Sequence, residues 1–110
     1  MAMSADAVVV TTTIDDRSKA EGLARGVVQA RLAACAQVGG PVSSVYWWQG
    51  EVETAQEFTV AFKTRSAVVD ELVAHLKAEH SYDVPEILVT PVTGGNADYL
   101  TWIANETQPR

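Results

Sequence analysis

Hydrophobic positions recur along this chain with two different periods, and the alternation between them predicts its secondary structure. Residues 7–13 are short, β-branched and apolar at their start, which is typical of a strand buried on both faces. Five apolar residues behind this strand recur at helical spacing: Ala20, Leu23, Ala24, Val27 and Val28. This stripe predicts an amphipathic helix. Asp15, Asp16 and Ser18 offer oxygens for its N-cap, and Ser18 with Glu21 has capping-box spacing.

The same predicted helix contains Gly22 and Gly26. Each glycine weakens a helix by roughly 1 kcal/mol relative to alanine. Because four residues separate them, the two glycines lie near one face, where they can admit a close neighbour.

Extended segments follow in the middle of the chain. Residues 32–38 predict a second strand, interrupted at residues 39–41, and residues 42–49 and 51–65 flank Gly50 as the two strands of a long hairpin. Because side chains alternate along a strand, the last segment has two faces. The core face carries Phe58, Val60 and Phe62, and the other face carries Glu57, Thr59, Ala61 and Lys63.

A second apolar stripe predicts a helix that follows Ser66 and ends near His80; it comprises Val68, Val69, Leu72, Val73 and Leu76. Residues 84–92 are extended with prolines near their ends, as an edge strand tolerates. Asn96 is placed to cap a short third helix.

This order of elements predicts an α+β, ferredoxin-like fold, in which two helices cover one face of an antiparallel sheet in a split β-α-β arrangement. A chain of 110 residues suits one domain. We expect a single domain over residues 1–110, with fraying at residues 1–6 and 105–110.

Charge and cysteine content exclude several classes of partner and several kinds of site. The formal net charge is −6 and the eight Lys and Arg residues are scattered, so we expect neither nucleic acid nor an anionic membrane as partner. The only cysteine, Cys35, excludes an intrachain disulfide and a thiolate-pair zinc site. Residues 1–6 lack the pattern of a signal peptide, and no apolar run reaches the ~20 residues of a membrane helix. The expected location is cytoplasmic.

Adjacent aromatic residues near the hairpin tip predict self-association. Tyr46, Trp47 and Trp48 on exposed strands are a poor surface for a monomer. The alternative is that one ring packs back on its own core while another lies on the surface. Like chains usually close with symmetry.

Five segments in order resemble the CutA family of divalent-cation (copper) tolerance proteins: residues 32–35 (LAAC), 44–50 (SVYWWQG), 63–64 (KT), 80–87 (HSYDVPEI) and 95–103 (GNADYLTWI). The resemblance implies a ferredoxin-like protomer in a tight homotrimer, similar to the PII signalling trimers, whose hairpins pair with neighbouring subunits. It also implies divalent-metal binding and a role in metal tolerance or homeostasis, without an established catalytic activity. No other protein partner is indicated.

Four residues are candidate metal ligands: His80, Cys35, Glu79 and Glu86. His80 can instead cap its helix through a backbone carbonyl, and Cys35 can be a small buried residue. Family members that carry a cysteine in the first strand or a second histidine before His80 differ from this chain, which has threonines and Glu79 there. We therefore expect a weaker site that is open to several divalent ions, copper or zinc among them. No cofactor is required.

An inter-subunit pocket is the alternative functional site. Glu57 and Lys63 share a strand face and form either an ion pair or part of an anion-binding pocket. The other candidate wall residues are Trp48, Tyr82, Tyr99 and Trp102. Such a pocket suits a PII-like small-molecule sensor or signalling module. The chain shows no nucleophile–base spacing, cofactor fingerprint or paired carboxylates, so we do not expect an enzyme.

Overall fold

Strands and helices follow one another in the predicted order in the computed structural model, which describes residues 6–109. The elements are β1 (Ala7–Ile14), α1 (Arg17–Gln29), β2 (Cys35–Trp48), β3 (Glu51–Arg65), α2 (Val69–Glu79), β4 (Ile87–Pro91) and α3 (Ala97–Glu106). A 3-10 turn over Ser66–Val68 leads into α2. None of the helices in this range is long and apolar enough to cross a membrane.

The sheet confirms the predicted α+β, ferredoxin-like fold. Its strand order is β2-β3-β1-β4, and every neighbouring pair is antiparallel. β1 lies inside the sheet and pairs with β3 on one side and β4 on the other. That position explains its β-branched sequence, because both its edges and one complete face are covered.

The main core lies between the sheet and the α1 and α2 helices. Val10, Val60, Phe62, Leu72 and Leu76 have no exposed surface there. The predicted core face of β3 is therefore confirmed, with Phe58 packing at its margin. The α3 helix packs on the opposite sheet face, where Leu100 and Ile103 contact Ala7, the neighbour of inward-facing Val8.

Four expectations about element ends need correction. The N-cap of α1 is Asp16, whose carboxylate accepts from the Lys19 N–H, so the Ser18–Glu21 capping box is not used. The β2 strand begins at Cys35, and Leu32 and Ala33 lie buried in the loop before it. It then continues through the predicted interruption as one strand with a bulge between Gly39 and Val42.

The fourth concerns the expected fraying at residues 105–110, of which the structure describes residues 105–109. The α3 helix continues to Glu106, whose carboxylate accepts from the Arg31 guanidinium at 2.9 Å. Thr107 is buried, and Arg65 donates to both its hydroxyl and its carbonyl oxygen. These contacts hold the end of the helix against the sheet. Residues 1–5 and 110, also expected to fray, lie outside the described residues.

Residues 42–57 form an arm that projects from the body. Its two strands pair with each other beyond the bulge, and the described chain is 48 Å long but only 26 and 22 Å across. All three aromatic residues near the tip are exposed: Tyr46 by 40%, Trp47 by 75% and Trp48 by 49%. None of these rings belongs to a core cluster of residues 6–109, and self-association through them stays a prediction.

Candidate functional site

His80 lies immediately after α2, and both of its ring nitrogens are engaged. Nδ1 accepts from the Tyr82 N–H at 3.0 Å, so this nitrogen carries no proton. Nε2 lies 2.9 Å from the Thr13 carbonyl oxygen and is therefore the donor, which makes the ring a neutral imidazole. The side chain is 8% exposed. His80 therefore bonds a backbone carbonyl, which was the alternative to metal binding given for it above. A metal ion can bind His80 only after one of these two hydrogen bonds breaks.

Tyr82 extends this arrangement to the base of the arm. Its hydroxyl donates to Glu57 Oε2 at 2.7 Å, and its ring centroid lies 4.7 Å from that of His80. Burial, followed by the Glu57 carboxylate that accepts its hydrogen bond, raises the pKa of the Tyr82 phenol above its usual value of about 10. Tyr82 therefore stays a neutral donor to Glu57, whose side chain is itself buried.

A second group of candidate residues lies at the other end of the sheet. Cys35 is paired in register with Lys63, whose Nζ donates to Gln37 Oε1 at 2.5 Å. Burial is the larger cause that raises the pKa of the Tyr99 phenol, and the neighbouring Cys35 thiol is the smaller one. The rings of Tyr99 and Trp102 lie 5.4 Å apart on α3. This end combines a half-buried thiol, a phenol and an ammonium group.

The register separates these two groups. Cys35 shares a row with Lys63 and Val9, whereas His80 binds at Thr13, four residues farther along β1. Four strand residues span about 13 Å. The predicted pair of His80 and Cys35 is therefore not brought together within one protomer. No group of three His, Cys, Asp or Glu side chains in residues 6–109 is arranged to hold a metal ion.

Glu57 and Lys63 share a strand face, as predicted, but six residues of β3 separate them by about 20 Å. The ion-pair alternative is therefore wrong for a single protomer, since Glu57 binds Tyr82 and Lys63 binds Gln37. The six predicted pocket residues fall into three places: Glu57 with Tyr82, Lys63 near Tyr99 and Trp102, and Trp48 at the arm tip. A pocket between subunits stays a prediction.

The two remaining candidate ligands, Glu79 and Glu86, precede and follow Tyr82 along the chain. Glu86 is exposed, and its main-chain oxygen accepts from the Thr12 hydroxyl at 2.6 Å. Glu79 lines a groove of about 520 Å³ between α1 and α2, together with His75. His75 is half-buried there, although it lies off the apolar stripe of α2. The close neighbour that the spacing of Gly22 and Gly26 predicted is this side chain, because Nε2 of His75 lies 3.9 Å from the position of a Cβ on Gly26.

Sequence reasoning missed Arg17 and Thr13. Thr13 contributes only its carbonyl oxygen, so its residue type carries no signal. Arg17 donates to the Gly40 carbonyl oxygen at 3.1 Å, and a lone arginine at the start of a helix does not indicate a contact with a strand 23 residues away.

Comparison with known proteins gives one consistent result. The family model described as "CutA1 divalent ion tolerance protein" matches residues 8–106. The "Divalent-cation tolerance protein CutA" of Pectobacterium atrosepticum is 42% identical over 98 residues, which cover 89% of each chain. The rice "Protein CutA 1, chloroplastic" is 41% identical over 101 residues, 92% of this chain and 57% of that protein. The chain thus spans little more than half the length of this plant relative.

Solved structures agree over nearly the whole fold. The crystal structure of CutA1 from Oryza sativa has a TM-score of 0.92 and 38% identity, covering 98% of this chain and 99% of that chain. The "Divalent cation tolerance protein (Cut A1)" of Thermus thermophilus has a TM-score of 0.90 and 37% identity, with coverages of 93% and 99%.

Proposed function

The chain belongs to the CutA1 divalent ion tolerance family, and on this premise we propose that it is a non-catalytic homotrimer that binds divalent cations and contributes to their tolerance. The observation that carries the proposal is the family match over residues 8–106. The family is described by ion tolerance rather than by a reaction, which supports a binding role.

The exposed arm supports assembly. An isolated two-stranded hairpin is marginal in water, and this one exposes 75% of Trp47, 66% of Val45 and 58% of Val52. The β4 strand supplies a second uncovered region, because it lies at the edge of the sheet and exposes Leu88 and Val89. Copies that cover each other's arms bury both regions. That the assembly has three subunits is taken from the resemblance to the family. A closed ring is a usual outcome for like chains.

Metal ligands are proposed at Cys35, Glu79 and Glu86, with His80 joining only if it exchanges its Tyr82 hydrogen bond for the ion. The thiol favours thiophilic ions such as Cu(I) or Zn²⁺, whereas the carboxylates accept harder ions. Because these residues lie apart in the protomer, the proposed sites are completed by a neighbouring chain or by water. We therefore expect a moderate affinity for copper and zinc rather than a tight copper-selective site.

Calorimetric titration of the metal-free protein with Zn²⁺ and Cu²⁺ tests this proposal. Cys35→Ser and Glu86→Gln should each weaken binding by about tenfold or more, and a tenfold change is about 1.4 kcal/mol. Glu71→Gln is the matched control, because Glu71 is an exposed α2 carboxylate outside the candidate set. Absence of binding up to millimolar ion would refute the metal role, and unchanged affinity in His80→Ala would remove His80 from the ligands.

A cytoplasmic location is part of the proposal. Since the rice relative is named as chloroplastic, the location needs its own test, by fractionation of cells that express the full-length natural protein. Recovery with an organelle or periplasmic fraction would contradict it.

A further inference from the structure

The arm leaves the body at a tightly packed bulge. Between Gly39 and Val42 the β2–β3 register shifts, and Gly40 has a φ of 111°. A Cβ on Gly40 would lie 3.1 Å from the Glu57 carbonyl oxygen and 3.3 Å from Phe58 Cα. The two strands therefore lie close together here, and a Cβ would fit only if its neighbours moved by a few tenths of an ångström. Two long-range side-chain contacts converge on the same place.

Arg17, in the first turn of α1, makes the first contact. Its guanidinium donates to the Gly40 carbonyl oxygen at 3.1 Å, and its central carbon lies 4.8 Å from the centroid of the Phe58 ring. A guanidinium at this distance from a ring is attracted to it. Phe58 packs against the main core. Arg17 therefore joins α1 to both strands of the bulge on the helix-covered face of the sheet.

Tyr82 makes the second contact, on the opposite face. Glu57 and Phe58 are consecutive on β3, so their side chains point to opposite faces. The Tyr82 hydroxyl binds Glu57 at 2.7 Å. His80 holds Tyr82 through its main-chain N–H and is itself bonded to Thr13 on β1. The loop after α2 is thus tied to the arm base on one side and to the sheet on the other.

We propose that Arg17 and the Tyr82–His80 pair are two straps on opposite faces of the sheet that fix the direction in which the arm leaves the body. They position the exposed apolar residues of the arm, which are the proposed assembly surface. The direction of the arm is inferred from the geometry alone, whereas its consequence for assembly rests on the proposed homotrimer.

A small change in the angle between the arm and the body produces a large displacement at the arm tip. The turn at Gly50 lies seven residues beyond Glu57, or about 23 Å along the strand. A change of about 10° at the base therefore moves the tip by about 4 Å, which approaches the 4.7–4.9 Å spacing of paired strands. An error of that size puts the arm out of register with a neighbouring strand. Small contacts at the base can thus control whether distant apolar residues meet their partners.

Hydrogen–deuterium exchange of the full-length protein, combined with sedimentation, tests the straps. The variants are Arg17→Ala, Tyr82→Phe and the double substitution; Tyr82→Phe keeps the ring and removes only the hydroxyl. In the double variant we expect amides of residues 42–57 to exchange roughly tenfold faster, while β1 amides stay unchanged and the protein dissociates at higher concentration than the wild type does. Arg17→Lys keeps the positive charge, but it should exchange its arm amides nearly as fast as Arg17→Ala does. The reason is that an ammonium lacks the planar group that contacts both Gly40 and Phe58.

Two controls separate positioning from other roles. Trp47→Ala removes a candidate interface contact and should weaken assembly with the base amides unchanged. Lys19→Ala removes a cation from the same helical turn, where Lys19 faces Asp15 at 3.8 Å rather than the arm, and should change neither readout.

The outcomes distinguish the two proposals. Arm exchange that is unchanged in the double variant overturns the straps, as does exchange that rises equally in the arm and in β1, which indicates a general loss of stability. A wild-type protein that sediments as a monomer refutes the homotrimer, while exchange at the arm base still decides whether the straps exist.

Discussion

Two threonines on β1 and β3 provide a direct test of how hydrogen bonding contributes to this core. Thr12 and Thr64 both have no exposed surface, and both point to the helix-covered side. They differ in the partner of the hydroxyl: Thr12 Oγ1 donates to the Glu86 carbonyl oxygen at 2.6 Å, whereas Thr64 Oγ1 has no partner within residues 6–109. Substitution by valine replaces the hydroxyl with a methyl group of similar shape, so the two variants should change stability in opposite directions.

The magnitudes follow from what each hydroxyl loses on burial. An unpaired buried polar group costs about 1–3 kcal/mol, so Thr64→Val should raise the free energy of unfolding by about 1–2 kcal/mol. Thr12→Val loses its hydrogen bond and removes a donor from the Glu86 carbonyl, which should lower the free energy of unfolding by about 1–2 kcal/mol. The two variants should therefore differ by roughly 2–4 kcal/mol.

Guanidinium denaturation followed by tryptophan fluorescence measures both changes, at one protein concentration because assembly contributes to apparent stability. Thr107→Val extends the series, since that buried hydroxyl accepts from Arg65 and donates to Ile103, each at 2.9 Å. We expect it to destabilise more than Thr12→Val does. If Thr64→Val destabilises the protein, or if all three variants shift in the same direction, the hydrogen-bond reasoning is wrong.

Three further predictions concern the backbone and the buried phenol. Gly22 is exposed within α1 and an added Cβ meets no atom within 4 Å, so Gly22→Ala should stabilise by about 1 kcal/mol in thermal unfolding; a lower midpoint would contradict this. Gly40→Ala should destabilise by at least about 1 kcal/mol, because an alanine is strained at its positive φ and contacts Glu57; an unchanged midpoint would contradict it. Because burial and Glu57 raise the pKa of Tyr82, its contribution to stability is complete below about pH 10 and is lost as the pH rises further. Wild-type stability should therefore fall more steeply above pH 10 than that of Tyr82→Phe, and equal slopes would refute the assignment.

The elements of the fold were predictable because each buries one face. The apolar stripes of α1 and α2 and the alternation at Phe58, Val60 and Phe62 record which side of each element meets the core. The apolar pattern does not indicate how far apart two residues lie along a strand. Glu57 and Lys63 share a face and still lie about 20 Å apart in one protomer, so a shared face does not by itself bring two side chains into contact.

The contacts of the candidate site were less predictable because most of them join distant parts of the chain. Tyr82 and Glu57 are 25 residues apart, and His80 and Thr13 are 67 residues apart. Such pairs depend on the assembled sheet rather than on local pattern. The end of α3 shows the same limit: its polar sequence indicated fraying, but Arg65 and Arg31 on other elements hold Thr107 and Glu106 in place.

The separation of the candidate ligands links metal binding to assembly. Cys35 is the first residue of β2 and Glu86 directly precedes β4, and these strands form the two outer edges of the sheet. Residues on opposite edges of one sheet cannot approach each other, whereas edge strands of different copies pair at 4.7–4.9 Å. A site that uses both residues therefore requires at least two chains, and its affinity must fall when assembly fails. Trp47→Ala, which removes no candidate ligand, should then weaken Zn²⁺ binding in proportion to dissociation. Affinity that persists in a fully dissociated variant would place the site within one chain and exclude the combination of Cys35 with Glu86.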